Sequence, residues 1–301
     1  MGNHIDGFHQ AMMAAGLEAP GVIHDDGVIH RFSPGGKRSN TSAWYVLYGD
    51  GVPAGTFGCW RAGLSSTWCA KSDQSMTPAE RDAHRQRIKA MKAQRDADED
   101  ARQREEADKA EIRWSSATPA GSHPYLVLKG IAAHGIRQDD ETLLVPLRDT
   151  AGKLHSLQTI TPDGEKRFKG RMKGCYHAIG KPSGRIVVSE GYATGASIHE
   201  ATGDAVAVAF NAGNLGPVAT ALHKAYPALV LLVAADDDHQ TEGNPGLSAA
   251  KSAALAVGGF AVIPQFPANR PPKATDFNDL AALAGLDAVR ACFSEIEVPS
   301  C

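Results

Sequence analysis

The sequence is poor in cysteine and contains no long apolar run. Its five cysteines are scattered and include no CxxC pair, so neither a disulfide framework nor a zinc ribbon is indicated. No segment approaches the roughly 18 consecutive apolar residues that a membrane helix needs. The first residues also lack the charged start and apolar stretch of a secretory signal. We therefore expect reduced thiols and a cytoplasmic protein.

Charge of either sign is not in excess overall, but it is unevenly placed. The formal net charge is −3. Residues 151–185 nevertheless carry eight Lys or Arg against two acids, whereas residues 186–301 carry five against twelve. A basic surface next to an acidic one is therefore expected, and the distribution says more about partners than the sum does.

The first half of the chain predicts a small β-rich module followed by a long charged helix. Residues 1–76 contain short strand-like runs separated by turn residues such as Asp50-Gly51. At Thr77, Pro78 and Glu80 the sequence has a capping box with proline at the first helical position. The following charged residues, up to 117, have few apolar positions, which is typical of a solvated spacer helix.

The second half predicts two further modules. Residues 118–184 read as a compact α+β piece in which two apolar strands precede the basic loop DGEKRFKGRMKG. In residues 185–301 the apolar strands RIVVSE, AVAVAF, LVLLVAAD and FAVIPQF alternate with helical stretches. That alternation predicts an α/β fold with a mainly parallel sheet and helices on both faces, in which functional groups gather beyond the carboxyl ends of the strands.

Acidic residues stand where those strands end. Glu190 closes the first strand, Asp236, Asp237 and Asp238 close the third, and Asp276 follows the fourth. Clustered carboxylates repel one another and resist burial, so they indicate a bound cation. Oxygen ligands favour Mg²⁺ or Mn²⁺. With a spacing of two, Asp236 and Asp238 are predicted to face one metal while Asp237 points away.

Two stretches carry a resemblance to a known family. SEGYATG, AADDD and the helix start GLSAAK resemble the Toprim domain of bacterial primases, topoisomerases and some nucleases. The stretch LLVPLRDTAGKLHSLQTI and the loop KRFKGRMKGCYHAIG are similar to the basic half of the primase polymerase domain, which topoisomerases lack. The resemblance covers roughly residues 130–283 and is closest to plasmid and phage primases. It implies a Toprim-like Rossmannoid sheet behind a basic α+β subdomain.

The resemblance also implies an activity and its residues. A plasmid- or phage-type primase makes short RNA primers on single-stranded DNA from ribonucleoside triphosphates, and a replicative helicase is a possible partner. By this resemblance Asp236 and Asp238 bind the metal, Glu190 binds it or acts as general base, and Asp276 assists. The family pattern departs in two places: no N-terminal zinc ribbon is present, and Thr194 stands where many primases have a second acid.

Basic and polar residues are expected to hold the polyanionic substrates, because an all-acid site would repel them. Asn211 and Asn214 precede a helix and either present amides to a phosphate or form a simple turn. The predicted triphosphate or template contacts from cationic side chains are Arg148, Lys166, Arg167, Lys169, Arg171 and Lys173.

Two other functions agree with the same residues. A Toprim nuclease would use the metal to activate water for strand cleavage. A single-stranded-DNA-binding replication accessory would keep the basic module and a degenerate acidic site. The main prediction is the primase, with metal-dependent nucleotidyl transfer as its chemistry.

Overall fold

The computed structural model describes residues 4–35, 41–72 and 75–294. Small parts of the predicted first module (1–3, 36–40 and 73–74) and the last seven residues of the predicted fourth module lie outside the described residues. The chain forms two compact units, residues 1–101 and 102–301. The four-module division therefore stays a prediction, and each unit is described by itself.

The first unit is a helix packed on a four-stranded antiparallel sheet. Its core contains Phe8 and Met12 of the helix together with Tyr45 and Phe57 of the sheet. The strands follow one another in the order β1-β2-β3-β4. The elements are α1 (His4–Ala14), β1 (His30–Phe32), β2 (Ala43–Tyr48), β3 (Ala54–Cys59) and β4 (Leu64–Cys69).

Core packing accounts for most of the aromatic residues of this unit. Trp44 and Tyr45 are each 1% exposed, whereas Trp60 is 41% exposed. Trp68 packs against the same core as Phe8. An aromatic-rich small module needs such a core, so the aromatic content by itself does not indicate base stacking.

The long charged helix, α2 (Pro78–Ser116), begins as the sequence predicts. The amide of Thr77 donates to Glu80 Oε2 at 2.8 Å, and the amide of Glu80 donates to Thr77 Oγ1 at 3.3 Å. These reciprocal bonds form a capping box, and Pro78 occupies the first helical position without losing a needed donor.

The second unit begins with an antiparallel sheet in the order β5-β6-β7-β8-β9. A tight turn at Gly152, whose φ is +83°, joins its two long strands. Leu143, Val145 and Ile160 point from these strands into the core. The elements are β5 (Thr118–Pro119), α3 (Pro124–Lys129), β6 (Arg137–Asp139), β7 (Thr142–Arg148), β8 (Leu154–Ile160) and β9 (Lys166–Phe168).

The remaining elements form the predicted α/β layers. The sheet order is β10-β12-β11-β13-β14, with β10 antiparallel to β12 and the other neighbours parallel. The elements are β10 (His177–Ile179), β11 (Arg185–Ser189), α4 (Tyr192–Thr202), β12 (Ala205–Val208), α5 (Ala212–Ala225), β13 (Val230–Ala234), α6 (Pro245–Ala256), β14 (Phe260–Val262) and α7 (Phe277–Ser294).

Helices cover both faces of this sheet, which confirms the predicted fold class. Val187 and Leu232 face a cluster that contains Phe277 of α7. Ile186 and Val233 face the opposite cluster, with residues of α5 and α6. Strands buried on both faces explain why their sequences are apolar throughout.

Two negative findings concern the described residues only. None of the described helices combines the length and the apolar character that a membrane crossing requires. The four cysteines within the described ranges, Cys59, Cys69, Cys175 and Cys292, are free thiols.

Candidate metal and nucleotide site

Strand order brings the predicted acids to one edge of the parallel sheet. β11 and β13 are neighbours, with Val188 opposite Val233. Glu190 follows β11 directly, and Asp236 comes two residues after the end of β13. Because adjacent strands lie about 4.8 Å apart, the two acid-bearing segments leave the sheet side by side. The predicted juxtaposition of Glu190 with the Asp triplet therefore follows from the register.

Asp236 is the most perturbed acid of the group. Burial raises its pKa to about 8, and four neighbouring carboxylates add to the rise: Asp276, Glu190, Asp238 and Asp279. Its Oδ1 atom is buried and has no hydrogen-bond partner among the described residues. An unpaired oxygen surrounded by like charges is an environment that a cation would stabilise.

Glu190 and Asp276 belong to the same electrostatic group. Burial, followed by the charge of Asp238, raises the pKa of Glu190. Burial, followed by the charge of Asp279, raises the pKa of Asp276. Asp276 keeps two donors: the Asp279 amide lies 2.9 Å from its Oδ1 and the Thr194 hydroxyl 3.0 Å from its Oδ2.

The three aspartates after β13 have different surroundings. Asp238 Oδ2 accepts a 3.1 Å bond from the amide of Gly246. A side chain at Gly246 would place its Cβ 2.5 Å from the carbonyl oxygen of Asp236, so glycine allows this close approach. Asp237 turns instead to Arg270 and Asn244, at 2.5 Å and 2.6 Å. The expectation that the middle acid points away from the other two agrees with these contacts.

The donor set fits a hard divalent cation, although the acids do not form a ready cage. Across the described ranges, no three His, Cys, Asp or Glu side chains already stand as a group able to hold a metal ion. Mg²⁺ typically takes one or two carboxylates and completes its shell with water and substrate phosphates. The unpaired, buried Oδ1 of Asp236 can serve as one such carboxylate ligand. Asp238, Glu190 and Asp276 are the other candidates.

Among the predicted basic residues, Lys166 stands beside the acids. Lys166 is exposed as a residue. Desolvation by the surrounding protein nevertheless lowers its pKa, and the positive charge of Lys129 acts in the same direction. Three carboxylates oppose that change: Asp276, Asp236 and Glu190. The Lys166 ammonium also lies 5.8 Å from the ring centre of Tyr125. A positive charge at this place can face a phosphate brought in against the carboxylates.

The other predicted cations make their contacts elsewhere. Arg167 pairs with Glu165 at 2.8 Å in its own hairpin. Arg148 donates to the carbonyl of Gly152 at 2.9 Å and stacks on Trp114. Arg171 Nε reaches the carbonyl of Lys173 at 3.5 Å. None of these contacts joins Arg148, Arg167 or Arg171 to the acids at the edge of the parallel sheet. The template role of these three residues and of Lys173 stays a prediction.

Lys169 borders a separate groove. A cavity of about 260 Å³ lies between the C-terminal part of α2 and the β8–β9 strands, and Lys169 lines it with Arg167 and Phe168. The carbonyl of Lys169 also accepts a bond from Ser156 Oγ.

Asn211 and Asn214 serve the local structure. Asn211 caps α5, accepting a 2.9 Å bond from the amide of Asn214. The Asn214 amide group donates to the carbonyls of Met172, Cys175 and Ala209 at 3.2, 3.0 and 2.9 Å and accepts from Gly174 at 2.8 Å. Of the two alternatives for this segment, the simple turn is therefore present. A phosphate contact from Asn211 or Asn214 stays a prediction.

Sequence reasoning missed four residues around this site. Lys129 and Tyr125 come from α3, and Tyr125 has a buried hydroxyl without a partner in the described chain. Burial raises the pKa of that hydroxyl to about 12. Thr194 was noted as a missing acid rather than as a donor, and Arg270 lies in a loop without a recognisable motif. No local pattern marks any of them, because their roles depend on contacts across the fold.

Comparison with known proteins agrees with this geometry. Residues 185–287 match the Toprim domain. The parallel sheet with its acidic edge is therefore a Toprim domain, as the sequence resemblance indicated.

Over most of its length the chain is also similar to a particular primase. It is 38% identical over 281 residues to DNA primase TraC of Escherichia coli, an alignment that covers 87% of this chain and 26% of that protein. A second protein of that name from the same species is 36% identical over 301 residues and is covered to 20%. The chain thus spans 26% and 20% of the length of these two relatives. The resemblance to Toprim-containing primases is confirmed.

Solved primase structures are more distant. The primase fragment of the bacteriophage T7 primase-helicase protein has a TM-score of 0.41 at 16% identity, covering 58% of this chain and 78% of its own. The Aquifex aeolicus primase fragment with zinc-binding and RNA polymerase domains has a TM-score of 0.42 at 14% identity, covering 98% of this chain and 85% of its own.

Proposed function

We propose that this chain is the catalytic part of a DNA primase that synthesises short RNA primers on single-stranded DNA. The observation that carries the proposal is the partly buried group of Asp236, Glu190 and Asp276, whose charges interact with that of Lys166. Similarity to DNA primase TraC supports the same activity. Because the chain corresponds to a limited part of those relatives, the activity and its substrates are inferred from the site.

The cofactor of the proposed reaction is Mg²⁺ or Mn²⁺, held by Asp236 and Asp238 with help from Asp276. When bound, such an ion stabilises negative charge on the attacking and leaving oxygens of phosphoryl transfer. The residues themselves contribute position: the Gly246 amide orients Asp238, and the Asp279 amide and Thr194 hydroxyl orient Asp276. Their carboxylates are thereby held at one edge of the sheet.

Glu190 and Lys166 supply the remaining chemistry. The raised pKa of Glu190 makes it a better proton acceptor than an exposed glutamate, which suits a general base for the ribose 3′-hydroxyl. Binding the cation is its alternative role. Lys166 would neutralise the triphosphate, because without it three carboxylates would repel the incoming nucleotide. The electrostatic interaction of Lys166 with Asp276, Asp236 and Glu190 distinguishes it from the other basic residues of the loop.

The partners of the proposed function are a single-stranded DNA template and ribonucleoside triphosphates, with a replicative helicase as a protein partner in plasmid or phage replication. Template contacts are assigned to the basic residues on and after the β7–β8 hairpin: Arg148, Arg167, Lys169, Arg171 and Lys173. Binding through such residues should weaken as salt increases.

A template assay tests the proposal. The protein is incubated with Mg²⁺, four labelled ribonucleotides and varied single-stranded DNA, without a supplied primer. Short RNA products are expected from the wild type and from the control Asp287→Ala, whose side chain is 91% exposed on α7. Asp236→Ala should make none. Cleavage of the DNA without RNA products would identify a nuclease instead. If the protein shows neither RNA synthesis nor DNA cleavage, the remaining function is that of a single-stranded-DNA-binding accessory.

A further inference from the structure

Asp237, the middle residue of the triplet, is engaged on every side. Its Oδ2 accepts a 2.5 Å bond from Arg270 Nη1, and its Oδ1 a 2.6 Å bond from Asn244 Nδ2. Its carbonyl oxygen accepts from Arg270 Nη2 at 2.8 Å, and its amide donates to the carbonyl of Thr275 at 2.8 Å. Asp237, which lies between the proposed ligands Asp236 and Asp238, is thus held in place through both its backbone and its side chain.

Arg270 extends these contacts to the segment that leads to Asp276. Its Nε donates to the carbonyl of Ala274 at 2.8 Å. Its guanidinium lies 4.1 Å from the ring centre of Phe266. One planar group therefore ties the Asp237 backbone and side chain to residues 266–275. The Asp237 amide bond to Thr275 fastens the same two segments at a second place.

Asn244 extends the contacts in the other direction. It stands in the left-handed region, with φ of +42°. Its Oδ1 accepts from the amide of Asp238 at 2.9 Å while its Nδ2 holds Asp237. Asn244, the N-cap of α6, therefore holds the Asp238 amide in place. The Asp237 side chain bonds to both Asn244 and Arg270 and so connects the two.

We propose that Arg270 is a positioning residue that, through Asp237, holds Asp236 and Asp238 opposite Asp276 for a shared divalent cation. This inference rests on the proposed function, since it assigns a purpose to the metal ligands named there. Arg270 touches none of the reacting groups. Its effect comes from joining the segment that carries Asp236 and Asp238 to the segment that carries Asp276. Because these carboxylates repel one another, the two segments would otherwise move apart when no cation is bound.

The geometry requires arginine rather than any cation. Three separate nitrogens of Arg270 reach the Asp237 carboxylate, the Asp237 carbonyl and the Ala274 carbonyl. A lysine ammonium is a single point charge and cannot take the same fork-shaped set or stack on Phe266. Residues that orient metal ligands from outside the coordination shell typically change metal affinity by 10- to 100-fold when replaced.

Mn²⁺ titration of the full chain tests this role. Wild type, Arg270→Ala, Arg270→Lys and Asp237→Asn are compared, each shown to be folded by thermal unfolding in EDTA. Both Arg270 variants should bind Mn²⁺ at least tenfold more weakly than wild type, and Asp237→Asn should lie between. The matched control is Arg290→Ala, since Arg290 donates to the carbonyl of Ala201 at the far end of α4. It should bind Mn²⁺ like wild type.

The outcomes separate this role from the proposed function. Folded Arg270 variants that bind Mn²⁺ within twofold of wild type would overturn the positioning role and leave the metal site standing. A wild type that binds no Mn²⁺ would remove both. Primer synthesis by Arg270→Ala should recover as Mn²⁺ is raised, whereas Asp236→Ala should stay inactive. If Arg270→Ala does not fold, Arg270→Lys and Asp237→Asn decide the matter.

Discussion

The hydroxyl of Thr194 donates to Oδ2 of Asp276 across a distance of 3.0 Å. By the sequence resemblance, Thr194 stands where many primases have a second acid, and the residue is 2% exposed. The residue that looked like a missing ligand is therefore a donor to another acid of the site. With one carboxylate fewer, the group carries less mutual repulsion, and Asp276 gains a partner that stabilises its charged form.

Replacing Thr194 by valine should weaken the metal site without unfolding the domain. Valine has nearly the same shape but no hydroxyl, so the pKa of Asp276 should rise further and Mn²⁺ affinity should fall by about tenfold. Thr194→Ser should keep most of the affinity. Thr220→Val, on the exposed surface of α5, serves as the control. Equal Mn²⁺ binding by the serine and valine variants would contradict the assignment.

Asp236 should cost the protein stability when no metal is present. Its pKa is about 8 in the folded chain against an ordinary value of 3.8. Between these values the folded state holds a proton that the unfolded chain has released, so this residue's contribution falls as pH rises toward 8. In EDTA at pH 8, Asp236→Asn should be more stable than wild type by about 2 kcal/mol.

Urea unfolding from pH 5 to pH 8.5 measures this effect. The margin between Asp236→Asn and wild type should grow with pH and then level off above about pH 8. Asp287→Asn, an exposed acid of the same unit, should show no such trend. A constant margin across the range would show that Asp236 is not proton-linked to folding.

His177 should make the second unit sensitive to mild acid. Burial lowers its pKa to about 4 from an ordinary 6.5. Below pH 6.5 the unfolded chain binds a proton that the folded chain rejects, so stability falls as pH drops toward 4. The full effect is about 3 kcal/mol. His177→Gln, which can still donate to the carbonyl of His134, should flatten this part of the unfolding profile.

Chemical unfolding between pH 4.5 and pH 7 measures the change in slope. The exposed His223→Gln serves as the control and should follow the wild-type curve. Parallel curves for His177→Gln and wild type would mean that His177 binds its proton as readily in the folded state as in the unfolded chain.

Asn214 should prove to be a structural residue. Its side chain satisfies the amide of Gly174 and the carbonyls of Met172, Cys175 and Ala209. Asn214→Ala would leave buried backbone groups unpaired and should lower the free energy of unfolding by about 2 to 4 kcal/mol. Asn211→Ala removes one cap and should cost only about 1 kcal/mol. Similar losses for the two variants would argue against this difference.

Much of the second unit could be predicted because its signals are local. Apolar strands alternating with helices indicated the parallel sheet, since strands covered on both faces must be apolar throughout. The capping box at Thr77 and Glu80 predicted the start of α2 in the same way. The positions of Glu190 and Asp236 at strand ends also followed, because every parallel strand ends at the same edge.

Other parts of the site could not be predicted in this way. The basic loop presents a run of similar cations, and only their contacts separate Lys166, beside the acids, from Arg167, paired with Glu165. The Asp triplet likewise does not predict that Asp237 pairs with Arg270, which lies 33 positions later in the sequence. Such pairs form only where loops distant in sequence come together in the fold, and the periodicity of the sequence does not indicate where that happens.

The sequence by itself determined the layers of the Toprim domain and the strand ends that carry acids, because hydrophobic periodicity and strand polarity are local properties. Only the tertiary structure decided which charges meet. The order β10-β12-β11-β13-β14 places Glu190 beside Asp236, and the folded chain brings Lys166 to them from another sheet. Electrostatic interactions depend on distance in space and on burial, and both exist only once the chain has folded.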